Sequence, residues 1–184
     1  MNNLEKNIKE NMETIPNFPK KGVMFRDITS LISNEKIFTK IIDHISLVAK
    51  KNNINKIVGI DARGFIFAAP VAYKNKIPLI LIRKKGKLPG NAYKAKYALE
   101  YDYDEMEIHK NSINKKDSVM IVDDLIATGG TALAAAKLIK KTNSKKIKFM
   151  FIIELNDLSG MSKLIKLGHN CLSLSSFREN EKWI

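Results

Sequence analysis

From Lys56 onward the chain repeats one pattern, a short apolar run, a turn and then a segment with helical spacing. Lys56 to Ile60, Ile77 to Ile82, Ser118 to Val122, Ile147 to Ile153 and Cys171 to Leu174 read as strands. Gly64 to Tyr73, Thr131 to Lys141 and Met161 to Leu167 read as the helices between them. Short apolar strands alternating with helices predict an α/β fold, with a mostly parallel central sheet flanked by helices on both faces. Ligands of such sheets collect where strands end and helices begin, so those junctions are the places to search. Upstream, Asn3 to Thr14 reads as a helix, and Pro16 and Pro19 impose extended chain. Asn34 is a good cap for a second helix from Glu35 to about Lys50, with Ile37, Ile41, Ile45 and Val48 on one face. Residues 84–104 break the alternation and carry charge, Gly86, Pro89, Gly90 and several tyrosines. That is roughly twenty residues, long for a structureless connection, so a mobile lid or hairpin is expected.

A length of 184 residues fits a single domain over 1–184, and 45% apolar residues suffice for a packed core. No apolar stretch reaches the length of a bilayer span, and the N-terminus lacks the apolar centre of a secretion leader, so a soluble cytoplasmic protein without membrane contact is expected. One cysteine, Cys171, excludes a disulfide framework and a thiolate metal cluster; it is expected to be buried and inert. His44, His109 and His169 have no spacing that suggests a site. The net charge of +13 favours anionic partners, but the lysines are scattered and form no arm of the kind that grips nucleic acid.

The most informative segment is SVMIVDDLIATGGT, from Ser118 to Thr131. An apolar strand delivers Asp123 and Asp124 at its end, and a helix opens at Ala127, Thr128, Gly129, Gly130 and Thr131. Free backbone N–H groups and the positive end of the helix dipole suit a phosphate there. Two carboxylates would repel a bare phosphate. They suit a ligand that also presents a diol, or a cation whose waters they orient. Phosphate, diol and metal together describe a phosphorylated ribose. An N-cap pair followed by a tight Gly turn is the plainer alternative, yet a cap needs one acid. At a second junction, GIDARGF, Arg63 and Gly64 stand in the turn after Asp61, where a guanidinium can take an anion with paired hydrogen bonds. A third stretch, RKKGKLPG, places Arg83, Lys84 and Lys87 at a strand end.

The segment VDDLIATGGT resembles the ribose-phosphate signature of the type I phosphoribosyltransferase family, in the form used by its adenine-specific branch. The resemblance implies that family's fold, with a small N-terminal hood over about 1–34 and a flexible catalytic loop over about 84–104. It implies that Ala127 to Thr131 hold a 5′-phosphate and that Asp123 and Asp124 hold the ribose. GIDARGF is similar to the family's pyrophosphate loop, with Asp61 where Glu is common, and RKKGKLPG to a further pyrophosphate stretch. Pyrophosphate would thus meet Arg63, Arg83, Lys84 and Lys87. FPKKGVMFRDIT resembles the adenine-binding stretch, which carries over to Val23, Met24, Phe25 and the backbone around Arg26. The run YALEYDYDEMEIHK resembles the catalytic loop, with Glu100 as proton-transfer residue, Tyr101 as its lid neighbour and Asp102 where glycine is usual. Arg63 would also act catalytically on the departing diphosphate.

The implied reaction transfers a 5-phosphoribosyl group from phosphoribosyl pyrophosphate to adenine, giving AMP and pyrophosphate for purine salvage. Mg²⁺ is the implied cofactor, held mainly by substrate and waters rather than by direct protein ligands. A homodimer is implied, with no nucleic-acid partner. Two other readings remain open from the sequence. One is a phosphoribosyltransferase for hypoxanthine, guanine, xanthine or orotate, separable by the product formed. The other is a regulator of the same fold that senses the donor while binding nucleic acid, although no added helix-turn-helix segment is evident.

Overall fold

The computed structural model describes residues 3–98 and 103–178. Helix α1 (Asn3–Asn11) opens the chain, followed by a hairpin of β1 (Glu13–Pro16) and β2 (Met24–Asp27). Helices α2 (Thr29–Ser33) and α3 (Glu35–Lys51) lead into the alternating part. There β3 (Lys56–Ile60), α4 (Gly64–Asn75), β4 (Leu79–Lys84), β5 (Ala92–Ala98) and β6 (Tyr103–His109) follow one another. The chain continues with β7 (Ser118–Ile126), α5 (Gly130–Lys140), β8 (Lys146–Leu155), α6 (Gly160–Lys166) and β9 (Asn170–Phe177).

The main sheet has seven strands in the order β5-β6-β4-β3-β7-β8-β9. The pairs from β4 through β3, β7 and β8 to β9 are parallel, and β6 is antiparallel to both of its neighbours. The expected α/β fold is therefore the observed one. One apolar layer joins Ile8, Ile41, Ile45, Phe67, Met150 and Phe177 on one face of the sheet. The other joins Ile60, Ile121, Leu138, Phe149, Phe151 and Leu164 beneath α5 and α6. Each such side chain, fully withdrawn from water, contributes about 1.5–3 kcal/mol.

Several boundaries differ from expectation for identifiable reasons. The first helix ends at Asn11 rather than Thr14, because Glu13 to Pro16 pair with Met24 to Asp27. The strand expected from Ile77 begins at Leu79, because the Ile77 N–H closes the end of α4 on Ala72 O at 3.1 Å and Pro78 has no N–H. Strand β7 runs on through both aspartates to Ile126, since Leu125 and Ile126 still pair with β8. The 84–104 segment is largely a hairpin, with Ala92–Ala98 paired to Tyr103–His109. As expected, the Asn34 side chain caps α3 by accepting from Ile37 N, a bond worth about 1 kcal/mol.

Arg26 is a charged residue inside this core, 2% exposed. It donates to Thr14 Oγ1 at 2.6 Å and to Arg178 O at 3.1 Å, and its guanidinium lies 4.5 Å from the centre of the Phe177 ring. A buried cation held this way ties the N-terminal hairpin to the last strand of the sheet.

Candidate active site

The carboxyl ends of β3, β4 and β7 open onto one cleft of about 580 Å³, a volume suited to a nucleotide-sized ligand. Its walls include Asp61, Arg63, Lys84, Lys87, Asp123, Asp124 and the whole run from Ala127 to Thr131. Three segments that read separately in the sequence, the acid pair with its phosphate loop and the two basic turns, thus meet around one space.

The phosphate loop is built from both sides. Gly129 has φ 85°, a left-handed conformation, and its C=O accepts the first bond of α5 from Leu133 N. Behind the loop stands Gly160, the first residue of α6. A methyl on Gly160 would lie 2.3 Å from Ala127 O and 2.7 Å from Gly129 N, so only glycine fits. Gly160 N also donates to Ala127 O at 3.0 Å. Gly64 plays the same part at the other wall, where a methyl would sit 2.7 Å from Val122 O and 3.0 Å from Asp123 Oδ1. The turn after β3 is therefore pressed against the acid pair.

Asp123 and Asp124 are both buried. Asp123 Oδ1 accepts from Asp124 N at 3.0 Å. Asp124 Oδ2 lies 2.9 Å from Arg63 Nε, close enough for an ion pair, but the angle is too poor for a hydrogen bond. That buried oxygen thus has charge compensation and no hydrogen-bond donor among the described residues. A ligand hydroxyl or a bound water would supply one. Burial pushes the Asp123 carboxyl well above its ordinary value, and the neighbouring Asp124 charge adds to this. Burial also raises Asp124, with Arg63 opposing.

A raised folded-state pKa means that ionising Asp123 costs stability as pH climbs above the ordinary aspartate range through the folded value. Asp123→Asn removes that cost and keeps an acceptor for Asp124 N. The ligand-free variant is expected to melt above the wild type at pH 7. The gap should narrow as pH falls through the ordinary aspartate range and close below about pH 3, where the aspartate is protonated in the unfolded chain too. Scanning calorimetry across that range checks it, and a variant that melts lower at neutral pH contradicts the argument.

The basic turn is braced by Asp61. Its Oδ2 accepts from Arg83 Nε at 3.1 Å and from Lys84 N at 3.4 Å. This gives the shorter acid a definite role: it holds the end of β4 against the turn after β3. Arg83, expected to meet pyrophosphate, stands beside the cleft, with its Nε bonded to Asp61 and its guanidinium 5.9 Å from the Phe65 ring centre. Lys84 and Lys87 do line it, across a turn closed by Lys87 N on Lys84 O. The peptide between Asp61 and Ala62 is cis.

Of the residues expected near a base, Phe25 meets a cleft residue, with the Arg63 guanidinium 5.9 Å from its ring centre. Phe18 packs edge-on against Phe25 at 5.0 Å. Val23 and Met24 are half-buried beside it, and the Arg26 side chain points away into the core, leaving only its backbone for a ligand. Glu100, Tyr101 and Asp102 lie outside the described residues.

Three contributors were missed. Tyr97 lines the cleft and donates to Asp104 Oδ2 at 2.7 Å. Burial and that carboxylate push its phenol upward, so it stays protonated. Gly160 and Lys163, both on α6, support the loop from behind, with Lys163 Nζ donating to Thr128 O at 3.0 Å. A glycine opening a helix is the only local signal, and it does not say which loop the helix meets. Cys171 is half-buried rather than buried, with its thiol pushed up to about 11 by burial, so it is protonated at neutral pH. Among the described residues no group of three or more His, Cys, Asp or Glu side chains is placed to hold a metal, and no helix is long and apolar enough to cross a membrane.

Residues 27–182 match the family model described as "Phosphoribosyl transferase domain". The adenine phosphoribosyltransferase of Pelagibacter ubique is 47% identical over 171 residues, spanning 93% of this chain and 98% of that protein. The crystal structure of adenine phosphoribosyltransferase from Saccharomyces cerevisiae, complexed with an imino-altritol bisphosphate and adenine, superposes with a TM-score of 0.87 at 36% identity, over 93% of this chain and 98% of that one. The adenine phosphoribosyltransferase of Trypanosoma brucei, in complex with AMP, pyrophosphate and ribose-5-phosphate, has a TM-score of 0.88 at 25% identity, over 95% and 79% of the two chains.

Proposed function

Because the chain belongs to the phosphoribosyl transferase domain family, we propose that its cleft transfers the 5-phosphoribosyl group from phosphoribosyl pyrophosphate to adenine, releasing AMP and pyrophosphate. The observation that carries this reading is the meeting of the Ala127–Thr131 loop, the buried aspartate pair and the cationic Arg63, Lys84 and Lys87 around one space.

The roles divide by charge. The backbone N–H groups of Ala127 to Thr131 take the dianionic 5′-phosphate at the opening of α5. Asp123 and Asp124 accept hydrogen bonds from the ribose hydroxyls, and the unmatched Asp124 Oδ2 is the acceptor most in need of one. Arg63, Lys84 and Lys87 take the pyrophosphate, with Arg83 holding their turn through Asp61. Adenine lies toward Phe25, with Val23, Met24 and the Arg26 backbone behind it.

Bond breaking to pyrophosphate runs ahead of bond making from adenine N9, leaving positive character on the ribose ring. The chain's contribution is to hold the reactants in line, to stabilise charge that grows on the leaving group, and to keep water out. Glu100 is the candidate acceptor of the N9 proton and Tyr101 its neighbour over the site. Mg²⁺ would fit this donor set as an ion held by substrate oxygens and waters, since the two carboxylates are hard acceptors able to orient those waters. When bound it offsets diphosphate charge.

A homodimer is proposed on the exposed apolar face of α4, where Ile66 and Tyr73 are 39% and 87% exposed. A place in purine salvage and a cytoplasmic location follow from the proposed reaction, since donor and product are charged metabolites that membranes retain.

The test is a transfer assay with donor and Mg²⁺ against adenine, hypoxanthine, guanine and xanthine in parallel. AMP formation at least about a hundredfold more efficient than that of the other nucleotides is expected, the least that an apolar pocket gives and well below the roughly 10⁴-fold that a site hydrogen-bonding the base edge can reach. Equal or greater use of another base overturns the adenine assignment. No transfer to any base, with salt-sensitive nucleic-acid binding, would instead indicate the regulator.

A further inference from the structure

We propose that Lys163 is a positioning residue for the donor's 5′-phosphate, acting through the phosphate loop from the far side of the cleft. The inference rests on the reading of Ala127–Thr131 as the phosphate site and deepens it.

Two successive carbonyls of the loop are taken by α6. Ala127 O accepts from Gly160 N and Thr128 O from Lys163 Nζ, each at 3.0 Å. Both peptide units are trans. In a planar trans peptide the C=O and the following N–H point in opposite directions. Drawing the Ala127 carbonyl toward α6 therefore turns Thr128 N–H the other way. Drawing the Thr128 carbonyl does the same for Gly129 N–H. Neither N–H has an acceptor among the described residues, so both remain free to donate to an anion.

The two tethers differ in kind. Gly160 gives a neutral backbone bond and a close fit. Lys163 gives a charged donor, which is stronger and further polarises the peptide unit it bonds. No carboxylate pairs with Lys163 among the described residues; the carbonyl is its recorded partner. Its charge thus stays behind the loop, where it favours a dianion on the cleft side. Lys163 is exposed and belongs to no core, so its removal leaves the packing of α6 through Met161 and Leu164 in place.

The test compares wild-type, Lys163→Met and Lys163→Arg proteins as full chains. Lys163→Met is expected to raise the KM for phosphoribosyl pyrophosphate by about tenfold, as loss of one charged hydrogen bond does. It should leave kcat within about twofold and the KM for adenine and the melting temperature unchanged. Lys163→Arg should recover most of the donor KM, because a single carbonyl asks for one charged donor and not a fork. Titration with ribose 5-phosphate alone separates the two levels of the argument. If it fails to bind the wild type, the reading of the loop itself falls. If it binds wild type and Lys163→Met equally, the role of Lys163 falls while the loop stands. A matched rise in both KM values with a lowered melting temperature would make Lys163 merely structural and also overturn the proposal.

Discussion

Replacing Gly160 with alanine is expected to lower kcat/KM for phosphoribosyl pyrophosphate by about a hundredfold or more, although the residue touches no substrate. The added methyl would stand 2.3 Å from Ala127 O, 2.7 Å from Gly129 N and 3.0 Å from Gly129 Cα, and all three partners are backbone. No side chain can rotate away, so either α6 or the loop must move. Leu164 is fully buried, and Met161 nearly so, in the layer under α5, which anchors α6; the loop is the part that yields. A displacement of about an ångström at the phosphate suffices for a loss of this size. The fold should survive, because β7 and β8 pair along eight residues before the loop begins to matter. Steady-state kinetics with circular dichroism checks both halves. Wild-type donor kinetics with an intact spectrum would show that the loop tolerates the shift.

Asp124→Asn is the second large expectation. The carboxylate is buried, and its Oδ2 faces Arg63 without a hydrogen-bond donor. The amide cannot accept at both positions and no longer balances the guanidinium. Hydrogen bonds to a charged acceptor are worth about 1.5–3 kcal/mol, so donor kcat/KM should fall about 10- to 100-fold. The KM for adenine should change little, since the roles proposed above give Asp124 to the ribose and Phe25 and its neighbours to the base. A loss confined to adenine would transfer Asp124 from the ribose to the base. With the rise in melting temperature expected for Asp123→Asn, the pair makes a wider point. These aspartates are held in a place that suits the ligand and not the empty fold.

Much of this arrangement is legible before any coordinates. The β3–α4 and β7–α5 junctions carry their chemistry within a few residues of chain, so Arg63, the acid pair and the Gly129 turn announce themselves through local pattern. Side chains whose direction is decided by a distant partner are not legible in this way. Arg83 reads as a pyrophosphate ligand, and only the fold reveals that its Nε meets Asp61, 22 residues upstream at the end of the preceding strand. Gly160 and Lys163 lie some thirty residues beyond the loop they support, on a seven-residue helix too short to advertise a face. Strand β6 was hidden because its alternation sits in a stretch crowded with acids, where the cross-strand lysines that balance them are visible only once Lys94 is set against Glu107.

The manner in which the β5–β6 arm joins the rest of the sheet has a mechanical result. Its ladder with β4 pairs Arg83 with Glu107 and Lys84 with Met106, and Lys85 N adds a bond to Glu105 O at 2.9 Å. The same two β4 residues bond Asp61 at the mouth of the cleft. Packed on α5 through Ala95, Met106 and Ile108 and tied to β4 at this corner, the arm would carry any displacement of its own into the cationic end of the cleft.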